Sequence, residues 1–447
     1  MMGGLRVRAG LTLAFVAGAG ALLLASSPTT GTSVAKTRGA ARRSPRPTRG
    51  RGRPGRAGRP SRAQARRLPY TAPVTRWIRT TGELAELVGS LAGRRAIALD
   101  TESDSLHHHR EKVCLVQVGV EEGGWLVDPL AARDLSPLAP LLADPAIVKV
   151  LHGADYDVTT LKRDFGFTFA SVFDTMIASR VLGRPEIGLQ ALLRTEFGVA
   201  LAKDSQKDDW SRRPLTPTQE AYALADVAHL IPLHDRLGAA LQELGRLEWV
   251  REECAAVAAL EPARRGRDAD AWQKVKGARR LSRRQQAVLQ AVFLWRDAIA
   301  DRTDVPAFKI VSSETLMDLA ERHPATPEEL HKLKGLSPRV HREAASLLDA
   351  VVRAWALPED AWPRLPAAPR PVVSEATRRR IDALRTWRTA EAKRLALDVS
   401  VVLPQRLLER VAEAAPRSPS DLDAVEGLRR WRRDTFGEAM VRVASAV

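Results

Sequence analysis

Between residues 95 and 151 four short apolar runs follow one another closely, with no room for a long helix between the first three. The stretch 95–101 is a continuous apolar strand that ends in acid, and 113–120 is β-branched and alternating. A Gly-Gly turn leads into a third strand at 124–128, and 147–151 is a fourth apolar run. The first three lie close enough to pair as an antiparallel meander. Helical spacing is expected at 81–92, before most of this block, and at 157–165, 174–182, 189–196 and 217–245 after it. A mixed sheet covered by helices is therefore the predicted α/β fold, and such a layout can aim acidic side chains into one cleft.

Past a polar, basic stretch at 262–280 no strand pattern returns, so the rest is predicted to be all-α. Two helical units are visible there. One carries Leu289, Phe293, Leu294 and Trp295 at core-helix spacing, and the other carries Ile381, Leu384 and Trp387. Each runs from an apolar helix through a turn at Pro306 or Pro404 to Lys-Gly or Glu-Gly at Gly335 or Gly427, which is the mark of an internal duplication. Trp295, Trp355 and Trp387 sit at core positions, whereas the arginines of 429–433 around Trp431 are expected on an RNA-facing surface. The expected organisation is a basic extension over 1–70, an α/β domain over 71–260, and helical domains over 281–357 and 374–447.

The formal charge of +17 divides unevenly: +15 for residues 1–70, −7 for 71–260 and +9 for 261–447. An acidic domain cannot attract polyphosphate unaided, so it must recruit cations or bind something else. The basic C-terminal part can supply phosphate contacts. Arg6 and Arg8 precede an apolar run at 11–25 that resembles a signal-peptide core, too short for a confident membrane span. The stretch 37–67 is rich in Arg, Gly, Pro and Ser, cannot bury a core, and is expected to be a dispensable disordered tail with weak affinity for RNA or anionic lipid. Cys114 and Cys254 have no partner at metal-ligand spacing and read as reduced thiols of a cytoplasmic protein.

Asp100 and Glu102 close the first strand, and a two-residue separation points both carboxylates to one face. Asp157 follows the strand at 147–151, in His-Gly-Ala-Asp-Tyr-Asp, with Asp155 expected to face solvent. Tyr222 and Asp226 are four residues apart on a helix, which stacks phenol over carboxylate. Acids aimed together repel unless a cation separates them, and four oxygen-only ligands suit Mg²⁺ or Mn²⁺ better than zinc. The adjacent His107, His108 and His109 point in different directions on a loop and are expected to be solvated. Asp174-Thr175 reads as a helix start.

A lone Asp-x-Glu is ordinarily a strand end meeting solvent. Here, however, Asp100-Thr-Glu102, His152-x4-Asp157 and Tyr222-x3-Asp226 occur in order, and together they resemble the tyrosine-containing branch of the DEDD 3′-5′ exonucleases. The run 203–215, Lys-Asp-Ser-Gln-Lys-Asp-Asp-Trp-Ser-Arg-Arg-Pro-Leu, and the paired helical units narrow that resemblance to ribonuclease D with two HRDC domains. The resemblance covers roughly 75–447 and implies a ribonuclease-H-like exonuclease domain followed by two nucleic-acid-binding modules. It implies that Asp100, Glu102, Asp157 and Asp226 hold two divalent ions, Mg²⁺ or Mn²⁺, and that Tyr222 orients the attacking water. Lys203, Gln206, Trp210 and Arg213 become candidate substrate-binding residues. His229 departs from the tyrosine or other bulky residue expected there in many relatives, which bears on substrate detail and not on metal binding.

The implied activity is exonucleolytic trimming of RNA with a free 3′ end, transfer RNA precursors and small structured RNAs in particular, and no stable protein partner is expected. A DNA 3′ exonuclease uses the same chemistry and is the alternative enzyme. A non-catalytic RNA-binding scaffold is the other, opposed by the retention of all four carboxylates and the tyrosine.

Overall fold

The computed structural model describes residues 76–201, 205–262, 268–366 and 374–447. The expectations placed on 1–70 and on Lys203 lie outside those residues. Six strands, β1 (Arg76–Ile78), β2 (Ala96–Ser103), β3 (Val113–Val120), β4 (Gly123–Val127), β5 (Val148–Leu151) and β6 (Val172–Asp174), form one mixed sheet in the order β1-β4-β3-β2-β5-β6. The meander β2-β3-β4 is antiparallel as predicted, while β1, β5 and β6 add in parallel. Every residue of β3 is buried, so the centre of the sheet is covered on both faces.

Eight helices complete this domain: α1 (Thr81–Leu91), α2 (Leu138–Ala143), α3 (Asp155–Phe165), α4 (Thr175–Val181), α5 (Leu189–Phe197), α6 (Pro217–Ala228), α7 (Leu230–Glu243) and α8 (Leu247–Ala258). Asp174 caps α4 by accepting from the Met176 and Ile177 N–H groups, as its position before Thr175 suggested. Helix α6 starts at a capping box of Thr216 and Gln219 with Pro217 in the first turn. The single helix expected over 217–245 is in fact two. His229 leaves helical geometry (φ −116°, ψ 5°), its ring is 9% exposed, and the chain changes direction there.

Helix α6 lies unusually close to the sheet. A Cβ on Gly119 of β3 would stand 3.0 Å from the Val227 Cβ, and one on Gly124 of β4 would stand 3.1 Å from Leu224. Residue 119 therefore has to be small for α6 to settle over β2 and β3 at this depth.

The two helical modules repeat one another at a constant offset. Ser282 and Ser374 cap their first helices, Arg283–Thr303 and Glu375–Leu395. Asp304 and Ala396 end them in left-handed geometry (φ 48° and 52°), and Gly335 and Gly427 turn the later hairpins (φ 82° and 84°). At that offset Pro306 stands opposite Asp398, and Pro404 opposite Ser312, so the two prolines paired by sequence are not equivalent turns. The first module also begins earlier than expected. Trp272, within the stretch read as linker, is 1% exposed and belongs to the same core as Leu289, Leu316 and Leu347.

The modules meet the α/β domain differently. The second shares its core: Leu384, Val402, Leu408, Trp431 and Phe436 are continuous with Leu233, Trp249 and Cys254. Trp431 stacks on Trp249 of α8 with centroids 4.4 Å apart, donates from Nε1 to Glu253 at 3.0 Å, and neighbours Arg432, which pairs with Glu253 at 2.5 Å. The Trp431 and Arg432 stretch, expected as an RNA surface, is thus a buried seam between domains. The first module touches through a polar corner: Asp304 meets the His108 ring at 2.8 Å and the Arg110 N–H at 3.0 Å, and Asp301 pairs with Arg110 at 2.8 Å. The histidine loop is therefore tethered by His108 instead of being simply solvated.

Candidate active site

Asp100 and Glu102 lie on β2, opposite Gln117 and Leu115 of β3, and their shared parity places both carboxylates on one face. The ladder slips by one residue just beyond Glu102, so that Ser103 pairs with Val113. Asp226 comes down from α6 and Tyr222 precedes it by one helical turn. One carboxylate oxygen from each of Asp100, Glu102 and Asp226 lies within 4.8 Å of the others. Asp157 stands in the first turn of α3, just past β5, and its carboxylate accepts a hydrogen bond from the Thr101 hydroxyl. Asp155 is exposed, as expected.

Burial and mutual repulsion both act on these acids. Burial, followed by the charges of Asp157 and Asp226, holds Asp100 well above the usual carboxylate range, and burial with Asp226 and Asp157 does the same for Glu102. Burial pushes Asp226 and Asp157 up to about 7, against the opposing hydrogen bonds from Tyr222 and Thr101. Burial and the neighbouring carboxylates also raise the Tyr222 phenol, so it keeps its proton and can donate to Asp226. An all-oxygen set of crowded, buried acids fits a hard divalent cation, whose charge offsets the repulsion that the fold itself leaves uncompensated.

These groups line a cleft of about 790 Å³. His152, Tyr156, Gln190 and Arg194 join them, and Arg194 is the one lysine or arginine lining it among the described residues. Arg194 pairs with Glu186 at the rim at 3.0 Å with both side chains exposed. The Tyr156 hydroxyl bonds Ser103 at 2.6 Å, and His152 Nδ1 bonds the Thr175 hydroxyl at 2.8 Å. Sequence reading named His152 only as a motif position and missed Arg194. The Gln190 and Arg194 spacing on α5 is one helical turn and was the available signal.

Residues 75–242 match the family described as 3′-5′ exonuclease, and 285–351 and 378–443 each match the HRDC domain. The chain is 33% identical over 374 residues to ribonuclease D of Pseudomonas paraeruginosa, an alignment covering 83% of this chain and 98% of that one. The chain belongs to the ribonuclease D family. It is a 3′-to-5′ exoribonuclease. Ribonuclease D of Acidiphilium cryptum is 33% identical over 82% of this chain and 92% of its own length. The crystal structure of Escherichia coli RNase D superposes with a TM-score of 0.63 at 28% identity, covering 83% of this chain and 99% of that one.

Within this ribonuclease D cleft only Gln206 of the described candidate substrate-binding residues is a lining residue. Trp210 is 1% exposed and packs behind Tyr222 (centroids 6.1 Å) beside Leu115, Leu126 and Leu224. Arg213 is held by both Asp128 carboxylate oxygens (2.7 and 2.8 Å) and by the Cys114 carbonyl (2.7 Å). Neither is brought to the cleft. Both brace the support of α6, since a half-buried guanidinium already bidentate to a carboxylate and bonded to a backbone carbonyl has little free edge for phosphate.

Proposed function

We propose that Asp100, Glu102, Asp157 and Asp226 hold two divalent ions, Mg²⁺ or Mn²⁺, and that the enzyme trims 3′ ends of transfer RNA precursors and other small structured RNAs. The observation that carries the metal reading is the convergence of three half-buried carboxylates within 4.8 Å in a cleft with little cationic charge among its described residues. Divalent cations there supply the positive charge that lets phosphate enter and favours loss of a proton from water. The substrate class rests on kinship, since the E. coli relative is described as an exoribonuclease involved in structured RNA processing.

The chain's own residues then have definite tasks. Tyr222 donates its proton to Asp226, which leaves a phenolic lone pair to accept from the attacking water and fix its direction. Water oxygen bonds to phosphorus as the bond to the 3′ oxygen breaks. A nucleoside 5′-monophosphate leaves, and the shortened RNA carries a new 3′ hydroxyl. Thr101 holds Asp157 in place, and Arg194 and Gln206 at the rim meet the terminal nucleotide.

The test uses the full chain with the same RNA labelled at its 5′ or its 3′ end. Mononucleotides should appear from the 3′ label first, only with added Mg²⁺ or Mn²⁺, and a 3′-phosphate should block their release. Internal cuts, or equal degradation of matched single-stranded DNA, would overturn the reading.

A further inference from the structure

The two modules are copies, yet the corresponding hairpins have opposite electrostatic fates. In the second, four arginines follow Gly427, and each has an acidic partner, Glu253 serving two of them. Arg429 lies 3.8 Å from Glu253, Arg430 pairs with Asp434 at 3.4 Å, Arg432 with Glu253 at 2.5 Å, and Arg433 with Asp423. Trp431 and Arg432 are buried where Trp431 stacks on Trp249, while Arg430 stays exposed beside Asp434.

In the first module the same hairpin carries Lys332 and Lys334 before Gly335 and Arg339 and Arg342 after it, with no acid among residues 331–342. At the constant offset Lys334 stands where the second module has Glu426, Arg342 where it has Asp434, and Arg339 where it has Trp431. The substitutions that turn the second hairpin inward are thus each reversed here. Lys332, Lys334 and Arg342 are exposed and Arg339 is half-buried, and none of the four forms an ion pair among the described residues. Val340, Leu330 and Leu333 bury the opposite side of the hairpin in the module's own core. The cations consequently sit on a rigid turn, not on a mobile tail. The polar corner at Asp304 docks this module at a different point of the repeat and leaves the hairpin uncovered by it.

Resting on the reading of the enzyme as a ribonuclease for structured RNA, we propose that the duplication has divided its labour. The Lys332, Lys334, Arg339 and Arg342 hairpin of the first module binds the phosphate backbone of the RNA body, and the second module's hairpin takes no part. Four cations with no close ion pair among the described residues, Lys332 alone having an acid, Glu328, within electrostatic reach, suit a polyanion with regularly spaced charges, and the contact carries no base specificity.

Binding is measured by fluorescence anisotropy on the full chain with a labelled stem-loop RNA bearing a single-stranded 3′ tail, in EDTA, across a salt series. Replacing all four residues with Ala should weaken binding on the order of tenfold or more near 0.1 M salt. It should also flatten the slope of log affinity against log salt by about 3. Lys332→Arg with Lys334→Arg should retain the wild-type slope. Arg430→Ala with Arg433→Ala in the second module should leave the slope unchanged.

If the fourfold variant does not fold, Lys332→Ala and Lys334→Ala alone should each lower the slope by about 1. A fourfold variant with wild-type melting and unchanged slope overturns the assignment, as does an equal loss from the second-module pair. Wild type assayed in parallel with Mg²⁺ separates the two readings. Failure to release mononucleotides sinks the ribonuclease reading, while the anisotropy still decides the hairpin.

Discussion

This chain buries charge in two places and resolves it in opposite ways. At the seam with the second module, Glu253 receives Arg432 and the Trp431 indole N–H, so each buried charge meets a partner supplied by the chain. In the cleft, Asp100, Glu102 and Asp226 face one another, and the fold supplies hydrogen bonds from Tyr222 and the Thr101 backbone but no paired cation among the described residues. The seam is complete as folded. The cleft stores repulsion that a cation must relieve, and this difference separates an element of stability from an element of catalysis.

The largest expected effect falls on the cleft. Asp100→Asn removes a proposed ligand and a charge together, and should lower the rate of mononucleotide release by about a thousandfold or more, the several kcal/mol that metal charge would contribute. If the comparison holds, the same variant melts no lower than wild type without metal, because it also removes repulsion. A metal-free melting point well below wild type would break the contrast.

The seam should behave in reverse. Trp431→Ala removes the stack on Trp249 and should cost about 3–5 kcal/mol of stability by denaturant titration. The turnover of the molecules that remain folded should stay within a few-fold. A loss of activity with unchanged stability would place Trp431 in substrate binding after all.

A pH titration of stability sharpens the contrast further. Asp157 and Asp226 rise in the folded state from 3.8 to about 7, so the native metal-free protein binds more protons than the unfolded chain between those values. The stability these two groups contribute is full near pH 4 and is lost as pH rises towards 7, so the metal-free decline over that range should be smaller in a variant with Asp157→Asn and Asp226→Asn. Mn²⁺ should flatten that decline, read as melting temperature against pH with and without the ion. The same pH dependence of melting in metal-free wild type and in that double variant would contradict the repulsion account.

The smallest effect belongs to the first module. Its corner contact at Asp304 is partly exposed, and Asp304→Ala should cost under about 1 kcal/mol of stability. A cost as large as that of Trp431→Ala would show that both modules are fixed alike.

Much of this was legible in advance, for reasons of periodicity. A strand repeats every two residues and a helix every four, so Asp100 with Glu102 and Tyr222 with Asp226 declare their shared faces without any tertiary knowledge. The strands β1 and β6 were missed because three residues carry no period. The break at His229 left the apolar pattern uninterrupted and could not be heard in it. Trp210, Arg213 and Trp431 were misread for one reason: a large aromatic or a guanidinium serves burial and recognition equally well, and only its neighbours decide. For Arg213 the decisive neighbour is Asp128, far away in sequence. Arg194 was overlooked because a single cation on an amphipathic helix looks like solvent-facing charge.

The tight seating of α6 on the sheet at Gly119 sets the gauge of the whole reaction centre, although Gly119 is not among the residues lining the cleft. One extra carbon there would lift the helix and carry Tyr222 and Asp226 away from Asp100 and Glu102 as a single rigid piece. The tolerance of the machine is therefore written in a hydrogen atom on the far strand, and the variants hardest to recognise as inactivating are those that widen this spacing while every acid remains.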